Sequence, residues 1–221
     1  CLHWEYMNNK LIIFDLAGTL IDKGSLAPLI AFEKAFEKAE IPVDASTIKK
    51  YMGTNKRDHI NMILRESGII DENLTSELYT LFNENIGDAI SKRSTPIPGV
   101  PEAIEEFRKR GFKIAVTTGY NREQRDMIMQ AAHKHWPIPR PIFCSDDVNK
   151  GRPYPYLCFK AMEYHHIKNV EDCVKIGDTL ADAKAARNAG MKAYGVTTGS
   201  TTRNTFVHAG VPVLDSISEL L

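Results

Sequence analysis

The sequence predicts an α/β protein built on a doubly wound parallel sheet, with an all-helical cap inserted after the first strand. Two observations carry this prediction. Short apolar, β-branched runs recur along the chain, and each leads into a turn rich in Gly, Asp or Thr and then a helical pattern. Residues 23–95 interrupt this rhythm with helical periodicity alone. Continuous apolar strands are typical of a parallel sheet that helices cover on both faces.

The composition is that of an ordinary soluble globular protein. The 221 residues are 43% hydrophobic, and 28 basic residues balance 28 acidic ones. This neutrality argues against duplex nucleic acid or an anionic membrane as a partner, and the apolar runs are too short to span a bilayer. The first ten residues lack the order of a signal peptide, and the four cysteines show no CxxC spacing. We therefore expect a cytoplasmic protein with buried free thiols.

Five apolar runs predict the strands of the sheet. They are Lys10–Phe14, Phe112–Val116, Pro141–Cys144, Cys173–Ile176 and Lys192–Val196. In a doubly wound sheet, ligands bind outside the carboxyl ends of the strands. The residues that directly follow these runs are therefore the first candidates for function.

The interrupting segment predicts a helical cap. Its first helix covers Ser25–Glu40, where apolar residues recur at helical spacing. Further helical patterns cover Thr47–Tyr51, Lys56–Ser67 and Asn73–Ser91, with a helix near Tyr154–Glu163 in the later part of the chain. The stretch PIPG at 96–99 indicates the return linker. We expect a cap at residues 23–95 that closes over a small substrate, and a core at residues 8–22 and 96–221.

Three carboxylates follow the predicted strands. Asp15 comes directly after the first strand, where it can act as a nucleophile, bind a hard cation or simply cap a turn. Asp178 follows the fourth strand, and Asp182 lies in the first turn of the next helix, where its charge is favoured. Because strand ends of one sheet converge, these acids predict a magnesium site that handles phosphate.

Two further loops offer groups that suit a phosphate. The segment TTGY at 117–120 supplies hydroxyl and backbone N–H donors, with Thr118, Gly119 and Tyr120 as candidates; a plain turn is the alternative. Arg152 precedes a proline and a predicted helix, which places a permanent cation close to the same edge. Lys150 is the competing cation.

These motifs, in this order, resemble the haloacid dehalogenase-like hydrolases. The resemblance rests on DLAGT at 15–19, a strand that ends in Thr118, a cation before a proline, and GDTLAD at 177–182. It implies a Rossmann-like core in which Asp15 is the nucleophile that takes up a phosphoryl group. It further implies that Mg²⁺ binds Asp15, the Ala17 carbonyl and Asp178, with Asp182 supporting the metal site.

Ala17 departs from the usual pattern of the superfamily. Its phosphatases usually carry a second Asp two residues after the nucleophile, as the general acid for the leaving group. A methyl group cannot protonate a leaving group, so the chemistry must proceed without that acid or find another.

The cap carries a more specific resemblance, to the phosphonoacetaldehyde hydrolases (phosphonatases) and the phosphonatase-like branch beside them. It rests on MGTNKRDH at 52–59, GSLAPL at 24–29, TTGYNRE at 117–123 and GRPYP at 151–155. In that family the cap lysine, here Lys56, forms a Schiff base with the substrate aldehyde. An iminium carbon accepts the electrons of the P–C bond, so the leaving group needs no acid at position 17.

The resemblance implies further residues around the substrate. Lys56 and His59 share a helix face with Met52, and we expect Lys56, His59, Asp15, Thr118 and Arg152 to be catalytic. Substrate-binding residues are expected at Met52, Gly53, Gly119, Tyr120 and Ser25, the last replacing a cysteine frequent in phosphonatases. The alternatives are a solvated surface lysine at 56 and a packing residue at 59.

The sequence therefore favours Mg²⁺-dependent hydrolysis of phosphonoacetaldehyde to acetaldehyde and phosphate. One alternative is a phosphatase for small phosphomonoesters, or a hydrolase of another phosphonate, whose leaving group takes a proton from water or His59. Another is a binding protein without catalysis. The family resemblance also implies a homodimer through the cap, which the apolar face of Leu26–Phe36 would allow.

Overall fold

A computed structural model describes residues 11–221, and it contains a six-stranded parallel sheet. The strands are β1 (Leu11–Asp15), β2 (Lys113–Thr117), β3 (Ile142–Phe143), β4 (Cys173–Gly177), β5 (Lys192–Val196) and β6 (Val213–Leu214). Their order across the sheet is β3-β2-β1-β4-β5-β6. The N-terminal segment through Lys10, with Cys1 and the start of the predicted core, lies outside the described residues.

The α/β fold is confirmed, with one strand more than the sequence predicted. All five predicted strands are present, within a residue or two of their expected ends. The sixth, Val213–Leu214, pairs with β5 at the edge of the sheet. Pro212 interrupts the apolar residues at 211–214, and a proline inside a short apolar run argues against a strand.

The strand order fixes where a ligand can bind. β1 pairs with β2 on one side and with β4 on the other. The chain builds outward through β2 and β3, then crosses to β4 and builds in the opposite direction. This reversal opens a crevice at the carboxyl ends of β1 and β4, which is where doubly wound sheets bind ligands.

Helices cover the sheet and form the segment between β1 and β2. The helical insert comprises α1 (Leu26–Lys38), α2 (Ala45–Lys50), α3 (Lys56–Glu66) and α4 (Glu72–Arg93). The remaining helices are α5 (Val100–Lys109), α6 (Arg122–His133), α7 (Tyr156–Tyr164), α8 (Leu180–Asn188) and α9 (Arg203–His208). All four helices predicted for residues 23–95 are present, whereas the exact domain boundaries stay a prediction. None of the helices within residues 11–221 is long and apolar enough to cross a membrane.

The insert has its own apolar interior. α1 packs against α4, and the rings of Phe32 and Phe82 lie 4.4 Å apart between them. Phe36 and Leu29 of α1 are also buried. The apolar face of Leu26–Phe36 therefore serves the interior of this chain and is not the exposed surface that a cap dimer would need. The dimer stays a prediction without that support.

The three described cysteines are buried and free, as expected.

Candidate active site

Three buried carboxylates meet at the crevice. Asp15 is the last residue of β1, Asp178 directly follows β4, and Asp182 lies in the first turn of α8. One oxygen from each carboxylate lies within 4.8 Å of the other two. Gly177 permits this crowding, since a Cβ there would come within 2.3 Å of the Asp182 carboxyl carbon. The predicted convergence of the three acids is therefore present.

Arg152 connects two of these acids. Its Nη1 donates to Asp15 Oδ1 at 2.6 Å and also to Asp182 Oδ1. Its Nε is buried and has no hydrogen-bond partner among the described residues. Lys150 is exposed, and its Nζ lies over the ring of Tyr154. Of the two competing cations, Arg152 is the one that reaches the site.

Lys175 is a second buried cation, which the sequence analysis missed. Its side chain is 1% exposed on β4, and its Nζ lies 2.9 Å from Asp182 Oδ1 and donates to Thr117 Oγ1 at 2.8 Å. The available signal was a lysine inside the otherwise apolar run CVKIG. A charge in a buried strand requires a partner of opposite charge.

The three carboxyl groups have different pKa values because the buried cations contact them unequally. Burial raises the pKa of Asp178 well above its usual value, and the neighbouring Asp15 and Asp182 raise it further. Burial and repulsion from Asp182 also raise the pKa of Asp15. Burial opposes ionisation of Asp182 as well, but Arg152 and Lys175 outweigh it and lower the pKa of that carboxyl to about 2.

Lys56 faces the carboxylates from the insert. It is the first residue of α3, behind the N-cap Asn55, and it is 5% exposed. Its Nζ lies 4.7 Å from the ring centre of Tyr120 and 5.9 Å from that of Phe32. Within residues 11–221 no carboxylate forms an ion pair with it. This burial contradicts the alternative of a solvated surface lysine. Burial and the charge of Arg152 also lower the pKa of Lys56 to about 8.

His59 lies in the interior of the insert. Its Nε2 is 2.8 Å from the Ile48 carbonyl oxygen, and its ring packs 4.2 Å from that of Phe32. Burial and the charge of Lys56 lower the pKa of His59 to about 3, which keeps the ring neutral. Its catalytic role stays a prediction, and this position does not place it on the wall of the cavity described next.

A small cavity lies between the strand ends, with their carboxylates, and the insert, with Lys56; these are the two sides of the site. Its walls contain ten residues that the sequence analysis selected and two that it missed, Pro28 and Thr179. The ten are Asp15, Ala17, Ser25, Met52, Gly53, Lys56, Thr118, Gly119, Tyr120 and Arg152. Of the remaining predicted residues, Asp178 and Asp182 lie behind the wall in contact with Ser25 and Arg152.

The insert meets the strand ends through two glycines. A Cβ on Gly53 would lie 2.3 Å from Thr179 Oγ1, and Gly53 has φ of +88°. A Cβ on Gly119 would lie 2.7 Å from the Thr54 carbonyl oxygen. Glycine is therefore required at both positions, against the Thr179 side chain at Gly53 and against the backbone of the insert at Gly119. The insert and the strand ends therefore lie in close contact beside the cavity, and closure of the cap over a substrate stays a prediction.

Comparison with known proteins agrees with this geometry. A family model described as haloacid dehalogenase-like hydrolase matches residues 12–196. The chain belongs to the haloacid dehalogenase-like hydrolases. This hydrolase is 37% identical, over 206 residues, to a phosphonoacetaldehyde hydrolase from Bacillus cereus strain ATCC 14579, covering 88% of this chain and 78% of the relative. The corresponding protein of Bacillus mycoides strain KBAB4 is 36% identical over the same length.

Solved structures share the fold of this hydrolase. A phosphonoacetaldehyde hydrolase like protein from Oleispira antarctica superposes with a TM-score of 0.88 at 29% identity, over 96% of this chain and 90% of that one. A hydrolase from Pseudomonas syringae gives a TM-score of 0.85 at 24% identity, over 96% and 95% of the two chains. The second likeness concerns the fold alone.

The oxygen donors of this hydrolase fit a magnesium ion. Asp15 and Asp178 supply carboxylate oxygens, and Ala17 supplies a carbonyl oxygen that accepts from Ser25 Oγ at 3.1 Å. Hard oxygen donors of this kind suit Mg²⁺, and a divalent cation would offset the repulsion that raises the pKa of Asp178. Both oxygens of Asp182 already contact Arg152, Lys175 or Thr179. Its suitable role is therefore to support the metal site through these contacts.

Ser25 contacts the metal side of the site. Its Oγ donates to Asp178 Oδ2 at 2.9 Å, and the backbone N–H of Ser200 donates to the same oxygen at 2.9 Å. Ser200 lies after β5 in a segment that the sequence analysis did not select. Nothing in a lone serine after a strand distinguishes such a contact in advance.

Proposed function

We propose that this hydrolase cleaves the P–C bond of phosphonoacetaldehyde, giving acetaldehyde and phosphate. The observation that carries the proposal is Lys56, which is buried, forms no ion pair with an acid of residues 11–221, and lines the same cavity as Asp15 and Arg152. The curated relatives that share 36–37% identity and bear the name phosphonoacetaldehyde hydrolase support it. The substrate class is a small phosphonate that carries an aldehyde.

The strand-end side suits the phosphonate group. Asp15 would attack phosphorus, while Arg152 and Thr118 hold the phosphonate oxygens. A buried N–H without an acceptor costs about 1–3 kcal/mol, and a phosphonate oxygen would satisfy the Nε–H of Arg152. When bound, Mg²⁺ would offset the charge that the nucleophile and the phosphonate bring together.

The insert side suits the aldehyde. A pKa of about 8 leaves a useful fraction of Lys56 as the neutral amine near neutral pH. The amine adds to the aldehyde carbon, and water leaves to give a protonated imine. Asp15 then bonds to phosphorus as the P–C bond breaks. The electron pair of the P–C bond moves into the iminium and forms an enamine. Protonation and hydrolysis of that species release acetaldehyde and restore Lys56, and a second water hydrolyses the Asp15 phosphoanhydride.

This scheme explains Ala17. In an ester-cleaving phosphatase the leaving oxygen requires a proton at the moment of cleavage. In the proposed reaction, the iminium accepts the electron pair of the leaving carbon, so no acid is required beside Asp15. The alanine on the cavity wall is therefore compatible with the proposed reaction.

The strand-end side also supports a second candidate, hydrolysis of a small phosphomonoester or of another phosphonate. Asp15, Arg152 and the supporting Asp182 act on phosphorus without reference to Lys56. In that reaction the proton for the leaving group would come from water, because a pKa of about 3 keeps the His59 ring neutral and its Nε2 faces the Ile48 carbonyl oxygen.

A phosphate-release screen separates these two candidates. Phosphonoacetaldehyde, other phosphonates and phosphate monoesters would each be tested with and without Mg²⁺. The proposal predicts that phosphonoacetaldehyde has the highest kcat/KM and that chelation of the metal abolishes turnover. Turnover of monoesters with none of phosphonoacetaldehyde would instead establish the phosphatase.

A further inference from the structure

The buried charges at the strand ends form a continuous chain of contacts from β4 to the nucleophile. Lys175 Nζ contacts Asp182 Oδ1 at 2.9 Å, and the same oxygen accepts from Arg152 Nη1. Arg152 Nη1 also donates to Asp15 Oδ1 at 2.6 Å. Lys175 does not contact Asp15 or line the cavity. Its charge acts on Asp15 only through space, and its contacts reach the nucleophile through Asp182 and Arg152.

The position of Lys175 is itself fixed on two sides. Its backbone lies in β4, in register with Ile13 of β1, and its Nζ donates to Thr117 Oγ1 of β2 at 2.8 Å. The ammonium therefore reaches across the sheet beneath β1, and the side chain is 1% exposed. Burial of a lysine this deep is unfavourable without compensation. Thr117 of β2 and Asp182 of α8 therefore supply the contacts that offset this cost.

Charge counting explains why a second cation is needed. Asp15 and Asp182 share Arg152, which has one positive charge for two carboxylates. Without Lys175, Asp182 would lose one of its three side-chain partners. Asp182 would then attract Arg152 more strongly than it does now. A guanidinium that two acids hold in one place keeps its remaining N–H groups directed consistently.

We propose that Lys175 is a positioning residue, which fixes Asp182 so that Arg152 presents its guanidinium to a phosphoryl or phosphonyl group. The inference rests on the proposed function only in placing that anion beside Arg152. It applies equally to phosphonate and phosphate ester substrates, so the identity of the leaving group does not enter it.

The test measures binding of inorganic phosphate by calorimetry at one fixed Mg²⁺ concentration. Lys175→Met removes the charge and keeps the length of the side chain, and we expect it to weaken phosphate binding roughly tenfold or more. Thr117→Val removes one of the two contacts of Nζ and leaves the charge, so we expect a loss of about two- to tenfold. The second variant keeps the test valid if the first fails to fold.

A matched control distinguishes misplacement of Arg152 from a general loss of stability of the sheet. Ile13→Ala creates a cavity beside the same position, and we expect it to lower Tm while phosphate affinity stays within about twofold of wild type. Two results would overturn the inference: unchanged phosphate affinity in folded Lys175→Met and Thr117→Val, or an equal loss in Ile13→Ala. Because the readout is phosphate binding, failure of P–C cleavage alone would contradict the proposed function and leave this inference standing.

Discussion

The two sides of the cavity treat buried charge in opposite ways. At the strand ends, Arg152 and Lys175 contact the carboxylates directly, so these charges hold one another in place. On the insert, Lys56 is buried and forms no ion pair with any acid in the part of the chain that the structure describes. Paired buried charges preserve ionisation and geometry, whereas an unpaired buried ammonium tends to lose its proton. The proposed P–C cleavage uses this difference: the strand ends would hold the anion, and the insert would supply the amine for the Schiff base.

Removal of the nucleophile should have the largest effect, and it should affect every substrate. Asp15→Asn cannot form the phosphoanhydride, so we expect phosphate release to fall by about 10³-fold or more. The loss should be equal for phosphonoacetaldehyde and for any phosphate ester that the wild type hydrolyses. Steady-state phosphate assays measure it, with Tm as the check that the variant is folded. Substantial residual turnover would contradict the role of Asp15.

Removal of Lys56 should affect turnover of phosphonoacetaldehyde but not the binding of phosphate at the strand ends. Lys56→Met abolishes imine formation, and we expect kcat for phosphonoacetaldehyde to fall about 10³-fold, or about 4 kcal/mol in activation free energy. Phosphate binding at the strand ends should be nearly unchanged.

Lys150→Met is the matched control for Lys56→Met. That lysine is exposed and lies over Tyr154, outside the cavity, so its loss should leave the rate within about twofold of wild type. Equal losses in the two variants would contradict the assignment.

The pH dependence of kcat/KM should follow the loss of a proton from the Lys56 amine. Burial lowers the pKa of Lys56 to about 8, and only the neutral amine attacks the aldehyde. We therefore expect kcat/KM to rise about tenfold per pH unit below that pKa and to level off above it. Phosphate binding should not follow this rise, because it does not use the amine. A rate that already levels off near pH 6 would place the limiting ionisation elsewhere.

A smaller effect should follow from moving the two sides apart. Gly53→Ala places a Cβ 2.3 Å from Thr179 Oγ1 at a backbone φ of +88°, so the insert must shift away from the strand ends. We expect kcat to fall about 10- to 100-fold, since misplacement by about 1 Å has effects of this size.

Gly68→Ala is the matched control for Gly53→Ala. It has a similar φ of +75° but nothing within 4 Å of the added Cβ. It should lower stability slightly and leave kcat unchanged. A similar fall of kcat in both variants would attribute the effect to backbone strain alone.

The fold could be predicted where a strand or helix carries its own pattern. The five apolar runs and the four insert helices were predicted because each carries an uninterrupted apolar run or a helical period in its own residues. The edge strand Val213–Leu214 was missed because it forms by pairing with β5, which is a property of the neighbour and not of its own residues.

The same distinction applies to the candidate site. Asp15, Asp178 and Arg152 adjoin strand ends or a proline, so local sequence marked them as candidates. Lys175 and Ser200 contact Thr117 and Asp178, which are distant from them in sequence, and no local pattern records such contacts. The burial that distinguishes Lys56 from an ordinary surface lysine also depends on the packing of Phe32 and Tyr120 around it.

The most direct test of the account is chemical trapping at Lys56. The enzyme would be incubated with phosphonoacetaldehyde and sodium borohydride, and the labelled peptide identified by mass spectrometry, with Lys56→Met as the control. The account predicts an N-ethyl group on Lys56, from reduction of the imine that follows P–C cleavage, and no label in the variant. An unmodified Lys56 in a preparation that releases phosphate from phosphonoacetaldehyde, or a label on another lysine, would contradict it.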